Sequence, residues 1–135
     1  MSERIVRSEI EWRRVLTNEQ YHVLREQGTE RAFAGKYHNF NGRGWYSCAA
    51  CGNPLFSSHA KYDSGTGWPS FFKPINDTAI ETEADLSGGM VRVAINCSRC
   101  GSHLGHLFED GPLPTGKRYC LNSVCLEFQE SKAPE

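Results

Sequence analysis

A chain of 135 residues with 15 Lys and Arg against 16 Asp and Glu carries a formal charge of −1, which gives neither a nucleic acid nor an anionic membrane surface an electrostatic reason to bind. The length suits one domain and excludes a doubly wound nucleotide-binding domain with a second one beside it, and no apolar run approaches the ~18 residues of a membrane span. Six cysteines remain to be explained, in a chain whose opening residues, Met1 to Arg7, lack the apolar stretch of a secretory signal. They are therefore expected to be thiols in a reducing, cytoplasmic setting, available for metal binding or catalysis rather than for a disulfide framework.

Residues 1–15 are charged, with scattered apolar positions, and the first clear structural signal is Leu16-Thr17-Asn18-Glu19-Gln20-Tyr21. Thr17 can cap the amide of Gln20 while the Gln20 side chain reaches back, and Leu16 and Tyr21 stand where a hydrophobic staple would place them. Tyr21 and Leu24 share one helix face, and Gly28 supplies a stop after about three turns. The N-terminal segment, about 1–40, is thus expected to hold one or two helices. Beyond Gly42 the helical period vanishes, and short aromatic and β-branched runs at 44–47, 90–95 and 123–128 read as strands between tight turns. Thirteen glycines and six prolines fit such a chain. The expectation is one domain over 1–135, with an antiparallel β core of about 41–129, sandwich or small barrel, and a frayed polar tail at 130–135.

One device occurs twice, each time at a strand end: Cys48-Ala49-Ala50-Cys51-Gly52 and Cys97-Ser98-Arg99-Cys100-Gly101. The two-residue gap lets both sulfurs face one point, and the glycine allows the positive φ the turn requires. Four thiolates at tetrahedral angles suit zinc, and a closed sulfur shell leaves no position for substrate, so the site reads as structural. Iron in the same shell, two reducible disulfides, or buried free cysteines are the alternatives.

Cys120 lies in Arg118-Tyr119-Cys120-Leu121-Asn122, where residues two apart in a strand share a face. A guanidinium beside the sulfur lowers a thiol's pKa, as a nucleophile requires. Cys125, five residues on, points to the other face and reads as a small buried hydrophobe. His103 and His106 follow the second cysteine pair and are candidates for acid/base or hydrogen-bonding work. Trp68, in the glycine-flanked run Asp63 to Phe72, is either a presented aromatic or a core corner.

Together the paired C-x-x-C-G, Gly67-Trp68-Pro69-Ser70-Phe71, Ser102-His103-Leu104-Gly105-His106-Leu107-Phe108 and Arg118-Tyr119-Cys120-Leu121-Asn122 resemble the type B methionine sulfoxide reductases, from about Leu16 to Phe128. The resemblance implies two antiparallel sheets and one structural zinc held by Cys48, Cys51, Cys97 and Cys100, remote from the active site. It implies Cys120 as nucleophile, Trp68 in the pocket for the substrate's methyl group, and His103, His106 and Asn122 around the sulfoxide, with Phe108 and Arg118 beside them. Substrates would be oxidised proteins carrying methionine (R)-sulfoxide, reduced through a Cys120 sulfenic acid. The departure is Thr66, where many relatives place a resolving cysteine. Thioredoxin or another thiol reductant would then reduce Cys120 directly, unless Cys125 resolves it. A monomer is expected, and the rival reading from another class is a non-enzymatic zinc-ribbon-like binding module, which would have no need of Cys120, Arg118 and Asn122.

Overall fold

In the computed structural model, which describes residues 7–86, 89 and 91–130, two short helices precede nine strands in two antiparallel sheets. Helix α1 (Glu9–Val15) opens on a reciprocal cap between Ser8 and Glu11, a Ser-x-x-Glu signal that the charged surroundings obscured in the sequence. It exists to bury Trp12, whose ring lies between the guanidinium groups of Arg7 and Arg25, 5.1 and 4.8 Å from its centroid. Helix α2 (Asn18–Glu26) has the expected cap, with Thr17 accepting from the Gln20 amide and Gln20 from Thr17 N. Its stop is one residue earlier than expected: Gln27, not Gly28, takes the left-handed conformation, at φ 60°. Leu16, Tyr21, Val23 and Leu24 are buried and seat the helix on the β core.

The smaller sheet has the order β2-β1-β9, built from β1 (Gly44–Cys48), β2 (Pro54–Ser57) and β9 (Leu126–Glu130). The larger has the order β3-β4-β8-β7-β6-β5, from β3 (Lys61–Tyr62), β4 (Ser70–Phe71), β5 (Ile80–Asp85), β6 (Arg92–Cys97), β7 (His103–Phe108) and β8 (Arg118–Leu121). Aromatic rings join the two sheets: Phe56 stacks on Phe71 at 4.5 Å, and Tyr46 meets Phe71 at 5.2 Å. Leu55, Ile95, Leu104 and Leu121 complete this buried layer.

The strand expected over 44–47 is β1. The one expected over 90–95 runs two residues later as β6, with Met90 outside the described residues. The run 123–128 is not one strand, because Asn122 O accepts from Cys125 N at 3.0 Å and Ser123–Cys125 turn as a 3₁₀ helix before β9 begins. Glu130 ends β9, and the tail expected to fray lies otherwise outside the described residues. No helix among the described residues is long and apolar enough to cross a membrane.

Candidate active site and metal centre

Strand β8 alternates as the sequence implied. Tyr119 and Leu121 are buried in the core, while Arg118 and Cys120 face the other way, into a cleft of about 230 Å³. Antiparallel pairing sets His106 of β7 directly opposite Cys120 and Phe108 opposite Arg118, so all four share that face. Gly105 is needed between them, since a side chain there would drive its Cβ to 2.0 Å from the Cys120 carbonyl oxygen.

The wall over this face is the loop before β4. Asp63 accepts from Gly65 N at 2.9 Å, and Ser64 bonds both Thr66 and Ser70, at 2.8 and 2.7 Å. Gly67 has a φ of 89° and accepts at its carbonyl from Phe33 N at 2.8 Å, where any side chain would strike Phe33. Thr66 and Trp68 therefore face Cys120 across the cleft, and Trp68 Nε1 donates to Glu30 O at 3.0 Å, which fixes the plane of the indole.

Glu30 is a hub that sequence reasoning missed. It is buried in the strap after α2; its amide donates to Asn122 Oδ1 and its carboxylate accepts from Val124 N, both at 3.0 Å. Asn122 Nδ2 donates to Leu104 O at 3.0 Å, so the Asn122 amide latches the strap to β7 as well as lining the cleft.

The charges around Cys120 oppose one another. Burial pushes its thiol above the ordinary cysteine range, and this outweighs the Arg118 cation and the hydrogen bond from Thr66, which both pull it down. The lowered pKa expected from Arg118 alone is thus overturned by desolvation. Arg118 is itself held by Asp110 in a two-pronged pair, Nε–Oδ1 2.8 Å and Nη2–Oδ2 3.1 Å, and lies 4.2 Å from the Phe108 ring centroid.

The histidines divide. Pairing steps from Ile95↔Gly105 to Asn96↔His103, leaving Leu104 without an opposite residue. This bulge returns His103 to the face of His106, and their rings meet at 5.2 Å. His106 lines the cleft, with Nε2 2.8 Å from Asp85 Oδ2. His103 lies beneath, 4% exposed, and its Nε2 has no hydrogen-bond partner among the described residues.

Burial lowers the His103 pKa to about 4, with a further push from His106. An imidazole neutral in the folded protein down to pH about 4, but protonated in the unfolded chain below 6.5, makes the unfolded state the better proton binder across that interval. Stability therefore falls as pH drops through it, by about 3 kcal/mol at most. Urea titrations at several pH values should show this slope in wild type and a shallower one in His103→Asn; equal slopes would contradict the assignment.

The four paired cysteines also come together, and none of them lines the cleft. Cys48 ends β1 and Cys97 ends β6, so the cluster joins the two sheets. Gly52 and Gly101 adopt φ of 81° and 76°, and each donates its amide to the carbonyl of the first cysteine of its pair at 2.8 Å. All four Sγ atoms lie within 4.8 Å of one another, with Cys48–Cys100 at 3.8 Å and Cys51–Cys97 at 3.6 Å. Sulfurs bound at ~2.3 Å to one tetrahedral ion would stand about 3.8 Å apart, so the set fits a metal. Hydrogen bonds, from Cys48 first, hold Cys100 far below an ordinary thiol, while the bond to Cys100 holds Cys48 well above one. Cys125 is fully buried, its Sγ 3.4 Å from His103 O, as expected of a packed residue.

The SelR domain model matches residues 16–130. The chain belongs to the SelR family, the type B methionine sulfoxide reductases. A peptide methionine sulfoxide reductase MsrB from Methanosarcina barkeri is 58% identical over 125 residues, spanning 93% of this chain and 88% of that protein. The namesake from Thiobacillus denitrificans is 58% identical over 122 residues, 90% and 92% of the two chains, and that from Leptospira interrogans 52% over 130 residues, 96% and 99%. Of the residues that the SelR resemblance singled out, Trp68, His106, Phe108, Arg118, Cys120 and Asn122 line one cleft, and His103 sits under it. Thr29 and Arg92 also line the cleft, and neither carries a signal in the sequence beyond being polar.

Proposed function

We propose that this chain, as one domain, reduces methionine (R)-sulfoxide in oxidised proteins to methionine, with Cys120 as the nucleophile. The observation that carries this is the cleft in which the partly exposed sulfur of Cys120 faces His106 across the sheet and Trp68 and Thr66 across the gap. A space of about 230 Å³ suits a single side chain. The indole of Trp68 and the ring of Phe108 offer apolar surface to the terminal methyl group, and the sulfoxide oxygen then points to His106.

The Cys120 sulfur attacks the sulfoxide sulfur as the oxygen takes up the one proton of the thiol; the bond from the substrate sulfur to oxygen and the transient sulfur–sulfur bond then break as the Cys120 sulfur–oxygen bond forms, so methionine leaves and Cys120 becomes a sulfenic acid. The thiol proton and the oxygen are conserved in this exchange. His106 handles the proton, because burial leaves His103 neutral at pH 7 and it does not line the cleft; the role left to His103 is to support the His106 ring. Arg118, held by Asp110, stabilises the thiolate as it forms. Two thiols of an external reductant, thioredoxin or a similar protein, then return Cys120 to the thiol and release water. Thr66 opposite Cys120, with Cys125 fully buried and its Sγ turned to His103 O, supports direct reduction rather than an internal disulfide.

Zinc is the ion proposed for Cys48, Cys51, Cys97 and Cys100. Four sulfur ligands close its shell, so it would supply a cross-link between the sheets and no chemistry at the cleft. The protein is proposed to act as a monomer in the cytoplasm.

The test is consumption of each epimer of a blocked methionine sulfoxide with dithiothreitol as reductant. The R epimer should be consumed and the S epimer spared by at least about a hundredfold in kcat/KM, a difference of ~2.7 kcal/mol in transition-state binding. Equal consumption of both, or none of R, would overturn the reading.

A further inference from the structure

His106 is gripped from outside the cleft. Its opposite residue on β6 is Ala94, whose methyl group leaves the space above it open, and beyond Ala94 comes the edge strand β5. Asp85 reaches over this gap from β5, so that its Oδ2 lies 2.8 Å from His106 Nε2 while Arg92 Nη2 approaches the same oxygen at 3.5 Å. Glu83, directly in line with Ala94, is turned aside to accept from Asn96 Nδ2 at 2.7 Å. The Asp85 and His106 side chains are 16% and 11% exposed, so water competes weakly for this bond. Arg92 lines the cleft and Asp85 does not.

An ionised carboxylate only accepts hydrogen bonds, so the nitrogen it meets must carry the proton. We propose that Asp85, steadied by Arg92, is a positioning residue for the reaction: it fixes His106 as the Nε2–H form and leaves Nδ1 as the nitrogen that takes the Cys120 thiol proton and passes it to the sulfoxide oxygen. This rests on the reading of Cys120 and His106 given above. It assigns the aspartate a function that its place on an edge strand gives no hint of.

Nitrogen-15 spectra of histidine-labelled wild type should show neutral His106 protonated at Nε2, and Asp85→Ala should shift it toward a mixture of both forms. In quenched single-turnover measurements at high enzyme concentration, Asp85→Ala should slow methionine formation about 10–100-fold, the usual range for a residue acting through its neighbour, and KM should move less than about threefold. Because Asp85 acts through His106, the same change in a His106→Ala background should cost nothing further. A wild-type His106 protonated at Nδ1 alone would overturn the proposal without requiring any variant to fold. So would losses that multiply in the double variant, or an Asp85→Ala defect confined to KM. If Cys120→Ser still turned over, the underlying reading would fail as well, whereas an inactive Cys120→Ser with multiplying losses would sink only the role of Asp85.

Discussion

Cys120→Ser should lose more than about a thousandfold in kcat while folding normally. Serine is close in size, and the site is partly exposed and not part of the core, so the substitution leaves Tyr119 and Leu121 packed as before. What it removes is the proposed nucleophile. A hydroxyl with a pKa far above that of a thiol presents almost no anion near neutral pH, and oxygen is a poor acceptor of the sulfoxide oxygen. The raised pKa of Cys120 adds a pH dependence. Its thiolate fraction should grow with pH to beyond the ordinary cysteine range, so alkylation by iodoacetamide should still be accelerating where an exposed cysteine has levelled off. Arg118→Ala removes a pull toward the thiolate and should move that curve further up; a shift downward would contradict the electrostatic account.

Removing the metal should have the second large effect, on stability. β1 and β6 belong to different sheets and end at Cys48 and Cys97, so an ion bound there ties together segments far apart in sequence. Freshly purified protein should contain one equivalent of zinc. Stripping it, or replacing Cys97 by Ser, should lower the melting temperature by more than about 10 °C, since several kcal/mol is a large share of the ~5–15 kcal/mol that holds a small domain together. Arg25 would be affected too, because it donates to Cys100 O and to Ser102 Oγ, both at 3.0 Å, and so docks α2 on the turn that carries Cys100. An unchanged melting curve after chelation would show that the four cysteines need no ion.

Local chemistry was legible where the structure obeys local rules. The Thr17–Gln20 cap, the two Cys-x-x-Cys-Gly turns and the facing of Cys120 with Arg118 each depend on residues within five positions of one another, and each is present. What stayed hidden depends on register. The bulge at Leu104, which puts His103 and His106 on one face, follows from how β7 pairs with β6. Asp85 meets His106 only because β5 and β7 flank β6 with an alanine between. Glu30 reaches Trp68, Asn122 and Val124 across 38, 92 and 94 positions of sequence, and its own neighbours in sequence do not foretell this. The direction of the Cys120 pKa was misjudged for a related reason: Arg118 is visible two residues away, but the depth of burial is a property of the closed cleft.

A single turnover without reductant probes the chemistry most directly. Mixed with excess (R)-sulfoxide and no thiol, the reduced enzyme should release one methionine per chain and gain the mass of one oxygen on the peptide containing Cys120, trapped by a sulfenic-acid reagent. No methionine in the absence of reductant, or a Cys120–Cys125 disulfide in place of the added oxygen, would contradict the account.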